Sequence, residues 1–340
     1  MNRKSPSRSL LYVSEESPGI RRLRRGKGFH YQLPNGRLIP AGSSTYLRIK
    51  SLVIPPAWTD VWISPKANSH IQATGRDQRG RKQYLYHSLW TEQQNVAKFG
   101  RLLSFARKLP ALRRRIRRDQ KLRGISREKM LAVVVALLDK TFIRVGNDEY
   151  ARTNGSFGLT TLRNRHVRVK GETIEFRFSG KSGQAHRITL TDRRLARTIH
   201  RCQELPGQEL FSYIGTDGRL HAINSRDVNA YLRQLTGEEY TAKDFRTWHG
   251  TVTAVAAFQS MMRESLAPTL PTIVKRVATA LGNTPAVSRK SYIHPNALRL
   301  IETPLPVPLL PSIPRGLSAD ERLTLAVLRA RRLRTQAATP

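Results

Sequence analysis

The chain has 340 residues, and its 60 Lys and Arg residues outnumber its 24 Asp and Glu residues, which leaves a formal net charge of +36. Charge on that scale favours a polyanionic partner, of which nucleic acid is the commonest soluble kind, although high charge also raises solubility by itself. No apolar run reaches the ~18 residues of a membrane-spanning helix, and the single cysteine, Cys202, excludes an internal disulfide and a cysteine-built metal cage.

The start of the chain bears on where the protein works. Residues 1–19 form a basic, polar extension that lacks the apolar core of a secretion signal. The lone Cys202 suits a reducing compartment, and packing is favoured over a nucleophilic role for it. These features predict a cytoplasmic, nucleoid-associated protein that does not bind or span a membrane.

Residues 20–92 predict a small β-rich domain. Short apolar runs alternate with turn sequences such as Pro34-Asn35-Gly36, a spacing typical of short antiparallel strands rather than helices. In one of these strands Tyr84 and Tyr86 would lie on the same face, beside the basic residues of the preceding turn. Paired tyrosines on a strand either pack in a core or lie against DNA, and the spacing leaves both interpretations open.

Residues 93–298 predict a larger and mainly helical domain. Helical patterns run to about residue 123, and a further helix is expected from Ser126, its N-cap, to Val145. That helix should have Arg144 on its last turn. Its buried stripe is formed by Met130, Val133, Val134, Leu137, Leu138 and Thr141.

A three-stranded sheet is predicted inside this domain. Polar and apolar residues alternate over His166–Lys170, Thr173–Phe178 and Ala185–Leu190. The turn Gly180-Lys181-Ser182 resembles the end of a phosphate-binding P-loop, but the first glycine of that motif would fall on Glu175, so no ATP site is expected. Lys181 is therefore either an exposed turn lysine or a lysine that reaches into a groove beside the sheet.

Helices are predicted for most of the remaining chain. From Asp192 to Tyr292 the pattern is helical except at the turn sequence 215–218. Residues 299–340 are predicted as a separate C-terminal tail, Pro-rich just beyond Pro304 and then basic and helical.

One tyrosine and three cations stand in distinctive local sequences. They are Tyr292, Arg144, Lys181 and Arg246. A tyrosine oxygen attacks a phosphodiester when cations stabilise the extra charge, so the set predicts DNA strand cleavage through a phosphotyrosine. The chain has no His-Glu-x-x-His pairing and no Asp-x-Asp cluster, so neither a catalytic metal nor another cofactor is expected.

The motifs taken together carry a family resemblance over roughly residues 20 to 298. In chain order the matching segments are Ile54-Pro55-Pro56-Ala57-Trp58, Val61-Trp62-Ile63, Gly80-Arg81-Lys82-Gln83-Tyr84, Ile143-Arg144-Val145-Gly146-Asn147, Gly180-Lys181, Lys243-Asp244-Phe245-Arg246-Thr247-Trp248, and Gly282-Asn283-Thr284-Pro285 through Ser291-Tyr292. They resemble the short viral and bacterial type IB DNA topoisomerases, and the order and spacing of the motifs make the resemblance specific.

The resemblance implies an α+β fold, with a small β-rich N-terminal domain and a larger, mainly helical catalytic domain that contains a three-stranded sheet, of the type IB topoisomerase and tyrosine recombinase kind. A monomer would close around double-stranded DNA as a C-shaped clamp. Gln83, Tyr84 and Tyr86 match the strand that family members lay in the major groove.

The resemblance also implies a role for each catalytic residue. Tyr292 would be the nucleophile, Arg144 and Arg246 the phosphate-binding cations, and Lys181 the general acid. Cleavage would leave a 3′-phosphotyrosine and a 5′-hydroxyl. Because the covalent bond conserves the energy of the broken phosphodiester, supercoils of either sign would relax without ATP or metal.

One position departs from part of the family. Asn283 stands nine residues before Tyr292, where many members have a histidine that donates to a non-bridging phosphate oxygen. An amide N–H also donates, but it carries no charge and does not titrate. His249 does not match the register of the family histidine, so a packing or supporting role is favoured for it.

Two other functions fit parts of the sequence. Tyrosine recombinases share the Arg, Lys, Arg and Tyr pattern, but they typically have histidine three residues before the second arginine, where this chain has Lys243, and their N-terminal domain is helical. A non-catalytic basic DNA-binding protein needs the charge but none of the catalytic groups.

Overall fold

The computed structural model describes residues 9–302 and 315–337, with side chains of the last helix as far as 329. The chain divides into two compact units, Met1–Ala97 and Lys98–Pro340. In the part of the chain that is described, no helix is both long and apolar enough to cross a membrane. The Pro-rich stretch 304–308 lies outside the described residues.

The N-terminal unit is built on antiparallel strands. Its elements are β1 (Ile20–Arg25), β2 (Gly28–Gln32), α1 (Ser44–Ser51), β3 (Thr59–Ile63), β4 (Ile71–Arg76) and β5 (Lys82–Tyr86), followed by α2 (Ser88–Gly100). The five strands form one sheet in the order β2-β1-β3-β4-β5, so β5 is an edge strand. Ile20, Ile49 and Ile63 are buried at its core. The prediction of short antiparallel strands is confirmed.

The helix α1 was not expected from the sequence, so the reading of this domain as strands rather than helices is wrong over residues 44–51. Ser43 caps the helix by accepting a hydrogen bond from the Tyr46 N–H (3.3 Å). Its one buried residue, Ile49, packs in the core of the sheet. The helix is held by that tertiary contact, because eight residues give little intrinsic helical stability.

The second unit is mainly helical. Its helices are α3 (Leu102–Asp119), α4 (Arg127–Thr141), α5 (Asp148–Asn154), α6 (Arg193–Gln203), α7 (Ser225–Thr236), α8 (Ala242–Arg263), α9 (Leu270–Leu281), α10 (Pro285–Ser291), α11 (Pro295–Glu302) and α12 (Ala319–Ala337). Its strands are β6 (Val167–Lys170), β7 (Thr173–Ser179), β8 (Ala185–Thr191), β9 (Ser212–Ile214) and β10 (Leu220–Ala222).

The predicted three-stranded sheet is present. β6, β7 and β8 pair antiparallel in that order, within a residue of the predicted bounds. The turn at 215–218 joins β9 and β10 into a separate hairpin. α6 packs on β6 and β7.

The helix α4 lies at the centre of this unit. Every residue from Met130 to Leu138 is buried, so the helix is enclosed on all sides rather than along one stripe. It begins after Ser126, as predicted, but it ends at Thr141 because Phe142 adopts a left-handed φ of 59°. The expected extension to Val145 is wrong, and Arg144 lies in the segment after the helix instead of on its last turn.

The C-terminal helix α12 joins a buried network of charged groups. Arg113 makes two-pronged contacts with Asp139 and with Glu321, at Nη2 to oxygen distances of 2.9 and 2.7 Å. Glu321 also accepts from Trp248 Nε1 (3.1 Å) on α8, and Asp139 contacts His249 Nε2 (3.1 Å). The network therefore connects α3, α4, α8 and α12.

We expect Glu321→Gln to destabilise the protein by about 3 kcal/mol, because the change breaks a buried ion pair and leaves part of the Arg113 charge uncompensated. Thermal or denaturant unfolding measures this. The matched control is Glu302→Gln: Glu302 lies 3.6 Å from Arg289 at the surface, and its loss should cost below about 1 kcal/mol. Equal effects of the two changes would contradict a structural role for the network.

The same network predicts acid sensitivity. Burial alone would raise the pKa of both carboxyls. Hydrogen bonds from His249 and Arg113 instead hold the pKa of Asp139 well below its ordinary value, and a hydrogen bond from Arg113 lowers the pKa of Glu321. A lowered folded-state pKa gives stability that is present above about pH 4 and is lost as the pH falls further. The melting temperature should drop below pH 4, and Glu321→Gln should show a smaller drop.

Candidate active site

Hydrogen bonds to two different helices hold the backbone of Tyr292. Its N–H donates to the Ser288 carbonyl (3.0 Å) at the end of α10, and its own carbonyl accepts from Thr251 Oγ1 (3.3 Å) on α8. Gly250 on α8 leaves room for this approach, since a Cβ there would lie 2.6 Å from the Tyr292 carbonyl oxygen. The position of the ring thus depends on α8 and α10 together.

Arg246 lies buried beside this ring. Its guanidinium carbon is 5.1 Å from the centroid of the Tyr292 ring. Its Nη atoms donate to the carbonyls of Phe142 and Leu281. Burial and the like charge of Arg144 lower the pKa of Arg246 to about 10, so it stays charged at neutral pH. Its Nε atom is buried and has no hydrogen-bond partner among the described residues.

Arg144 and Asn283 meet from two separate loops. Arg144 Nη2 donates to Asn283 Oδ1, and this contact identifies the other end of the amide, Nδ2, as a donor. That Nδ2 is buried with no hydrogen-bond partner within residues 9–302 and 315–337. Asn283 follows Gly282, whose left-handed φ of 57° ends α9. Arg246 Nε and Asn283 Nδ2 are therefore two buried donors that lack an acceptor.

Lys181 lies on the tight turn between β7 and β8. The Gly180 N–H donates to the Gln184 carbonyl (2.7 Å) and closes the turn, and Ser182 adopts a positive φ of 66°. Lys181 itself is exposed. Its charge acts on the Tyr292 phenol, so the lysine lies within electrostatic reach of the tyrosine.

The cations change the acidity of the tyrosine. Burial alone would raise the pKa of Tyr292, but the positive charges of Arg246, Arg144 and Lys181 outweigh it, and the pKa is lowered from the ordinary phenol value. A lowered pKa makes the nucleophilic phenolate easier to form. The tyrosine, the three cations and Asn283 that the sequence singled out are brought together in the second unit.

Gln83, Tyr84 and Tyr86 belong to the N-terminal unit. Tyr84 and Tyr86 are exposed on one face of β5, with ring centroids 5.9 Å apart at an interplanar angle of 11°. Gln83 points to the other face, where its Nε2 donates to Asp77 Oδ2 (3.0 Å). The structure therefore groups the two tyrosines on one surface and separates Gln83 from them.

His249 supports Arg246 indirectly. Its ring stacks on Phe142 at a centroid distance of 4.4 Å, and Phe142 provides one of the carbonyls that hold Arg246. Sequence reasoning did not single out His186, which lies in β8 against both Gly180 and Gly282. Its position five residues after Lys181 is unremarkable in sequence, and only the folded hairpin brings it to the site.

Two family models match successive segments of the chain. Residues 86–304 match the family model of the eukaryotic DNA topoisomerase I catalytic core, and residues 28–77 match that of the bacterial DNA topoisomerase IB N-terminal domain. The chain is 34% identical over 296 residues to the DNA topoisomerase 1B of Acanthamoeba polyphaga mimivirus, which covers 84% of this chain and 88% of the viral protein. It is 25% identical over 272 residues to the DNA topoisomerase 1B of Vaccinia virus (strain Copenhagen), which covers 76% and 82%.

Proposed function

Since this chain belongs to the type IB DNA topoisomerase family and is a DNA topoisomerase, we propose that it relaxes positive and negative supercoils through a transient single-strand break. Tyr292 is the nucleophile that holds the broken strand as a 3′-phosphotyrosine. Neither ATP nor a metal ion takes part. The position of Tyr292 beside Arg246, and the lowered pKa of its phenol, support this role.

The proposed step is a transesterification that balances without a co-reactant. The Tyr292 oxygen forms a bond to phosphorus as it loses its proton, and the bond from phosphorus to the 5′-oxygen breaks. Lys181 gives a proton to the departing 5′-oxygen. Rejoining is the reverse step, in which the 5′-hydroxyl attacks the phosphotyrosine. Supercoils relax while the free end swivels.

The pair of buried donors without acceptors is the observation that supports this chemistry best. Arg246 Nε and Asn283 Nδ2 are each buried next to the charge of Arg144. A buried N–H left without a partner costs roughly 1–3 kcal/mol, and a non-bridging phosphate oxygen is an acceptor that would satisfy it. We infer that the scissile phosphate occupies this position, with its transition-state charge stabilised by Arg144, Arg246 and Asn283.

Asn283 replaces the histidine that many family members have at this position. Its amide supplies a neutral donor, so the role in binding a phosphate oxygen is retained with a weaker electrostatic contribution. Because the amide does not titrate, we expect residue 283 to make no contribution to the pH dependence of the cleavage rate.

Double-stranded DNA is the proposed partner, bound by a monomer that closes around it as a clamp in the cytoplasm, near the nucleoid. The net charge of +36 supports a duplex backbone as the ligand. The edge strand β5 is proposed to lie in the major groove, with Tyr84 and Tyr86 stacked on one of its faces and Gln83 on the other.

Plasmid relaxation tests the proposed function. We expect the purified protein to relax negatively and positively supercoiled plasmid with a chelator present and no nucleotide. An architectural DNA-binding protein would leave the linking number unchanged, and a recombinase would require paired sites. Strict dependence on ATP or on a divalent ion would contradict the proposal.

A further inference from the structure

His186 is pressed between two glycines at the edge of the site. It lies opposite Phe178 in the β7–β8 ladder, and the two rings stack at a centroid distance of 4.9 Å and an interplanar angle of 14°. A Cβ at Gly180 would lie 2.6 Å from His186 Cδ2 and Nε2, and a Cβ at Gly282 would overlap its Cε1. One imidazole therefore touches two separate backbone segments.

Those segments hold two of the groups assigned to the phosphate. Gly180 immediately precedes Lys181, and Gly282 immediately precedes Asn283. We propose that His186 is a positioning residue, which sets the distance between the Lys181 turn and the Asn283 turn so that both groups reach one phosphate. This inference rests on the proposed roles of Lys181 and Asn283.

The backbone of Gly180 supports the inference. Its φ of −95° and ψ of −163° belong to the extended region, which any residue adopts. The backbone conformation therefore does not require glycine at this position. Glycine is required because the imidazole fills the space that a Cβ would take. Gly282 differs, because its left-handed φ of 57° favours glycine in addition to the close contact.

The charge state of His186 is consistent with a role in setting the distance between the two turns. Burial lowers its pKa, and the nearby charges of Arg144 and Arg246 lower it further, so the ring is neutral at pH 7. A neutral ring adds no positive charge to a site that already contains three cations. Its ring nitrogens have no hydrogen bond within the described ranges, so its contacts with the two glycines and with Phe178 are contacts of packing.

The test compares ordinary DNA with DNA whose 5′-bridging oxygen is replaced by sulfur, a leaving group that needs no proton. We expect His186→Ala to cleave ordinary DNA about 10- to 100-fold more slowly, because a misplacement of about 1 Å has effects of this size. At least half of that loss on a logarithmic scale should be recovered on the sulfur substrate. Gly180→Ala, which pushes the turn away from the ring, should give the same pattern.

Two further comparisons separate positioning from packing alone. On ordinary DNA, adding His186→Ala to Lys181→Ala should slow cleavage by at most half as much, on a logarithmic scale, as His186→Ala does alone. Residues that act through one group are not additive, so only the part of the effect that acts through Asn283 remains. The matched control is His221→Ala: His221 is a strand histidine that stacks on Tyr213 at a centroid distance of 5.4 Å, and its removal should leave both cleavage rates unchanged.

Equal slowing of His186→Ala on both substrates would overturn the inference and leave His186 as a core residue. If the sulfur substrate restores cleavage by Lys181→Ala but by neither His186→Ala nor Gly180→Ala, the inference is overturned and the role of Lys181 stands. If Lys181→Ala itself fails to recover on the sulfur substrate, the general-acid assignment falls, and the inference falls with it.

Discussion

Tyr292→Phe should bind duplex DNA within about threefold of the unchanged protein and form no covalent adduct, with cleavage reduced by at least about a thousandfold. The substitution removes only the phenol oxygen. The ring that faces Arg246 and the backbone contacts of the helix end remain, so the phosphate site should stay formed.

Denaturing gels that trap covalent protein–DNA complexes measure this change, beside a binding measurement at the same salt concentration. The matched control is Tyr213→Phe, which removes a tyrosine hydroxyl from the β9–β10 hairpin and should retain activity. A persistent adduct in Tyr292→Phe would mean that another tyrosine is the nucleophile. A large loss of DNA binding would mean that the hydroxyl serves binding rather than chemistry.

Lys181→Ala is expected to cleave ordinary DNA about 10²- to 10⁴-fold more slowly, the usual range for a lost general acid. An alkoxide is a poor leaving group near neutral pH, and the lysine ammonium protonates it as it forms. Lys181 is exposed on its tight turn, so its removal should leave the stability of the protein nearly unchanged. The rate loss would then reflect chemistry rather than folding.

Replacement of the 5′-bridging oxygen by sulfur should restore cleavage by Lys181→Ala. Arg144→Ala is the matched comparison, because Arg144 is assigned to the non-bridging oxygens and holds Asn283, so it should stay slow on both substrates. Equal slowing of Lys181→Ala on both substrates would leave Lys181 as an electrostatic contact and nothing more.

Local patterns predicted the elements whose signals are themselves local. The alternation in β6, β7 and β8 follows from one covered face of a sheet, and the Ser126 cap follows from a side chain that bonds three residues ahead. The helix α1 escaped prediction because a single buried residue, Ile49, holds it to the sheet. No periodicity reports such a contact.

The site was predicted as a set of residues but not as a geometry. The left-handed turn at Phe142 moves Arg144 off its helix and into contact with Asn283, and a sequence gives no sign of which residue will leave the helical region there. The contact of His186 with Gly282, and the contact of Arg113 with Glu321, join segments far apart in the chain. They arise only when the whole unit is folded.

The linkage in the trapped complex tests the central claim most directly. After cleavage, denaturation, and digestion with nuclease and trypsin, mass spectrometry identifies the peptide that retains a nucleotide. Cleavage after Lys290 and Arg299 releases residues 291–299, which contain Tyr292, and we expect a nucleotide on that tyrosine through its 3′-phosphate. A nucleotide on any other residue, or one joined through its 5′-phosphate, would contradict the account.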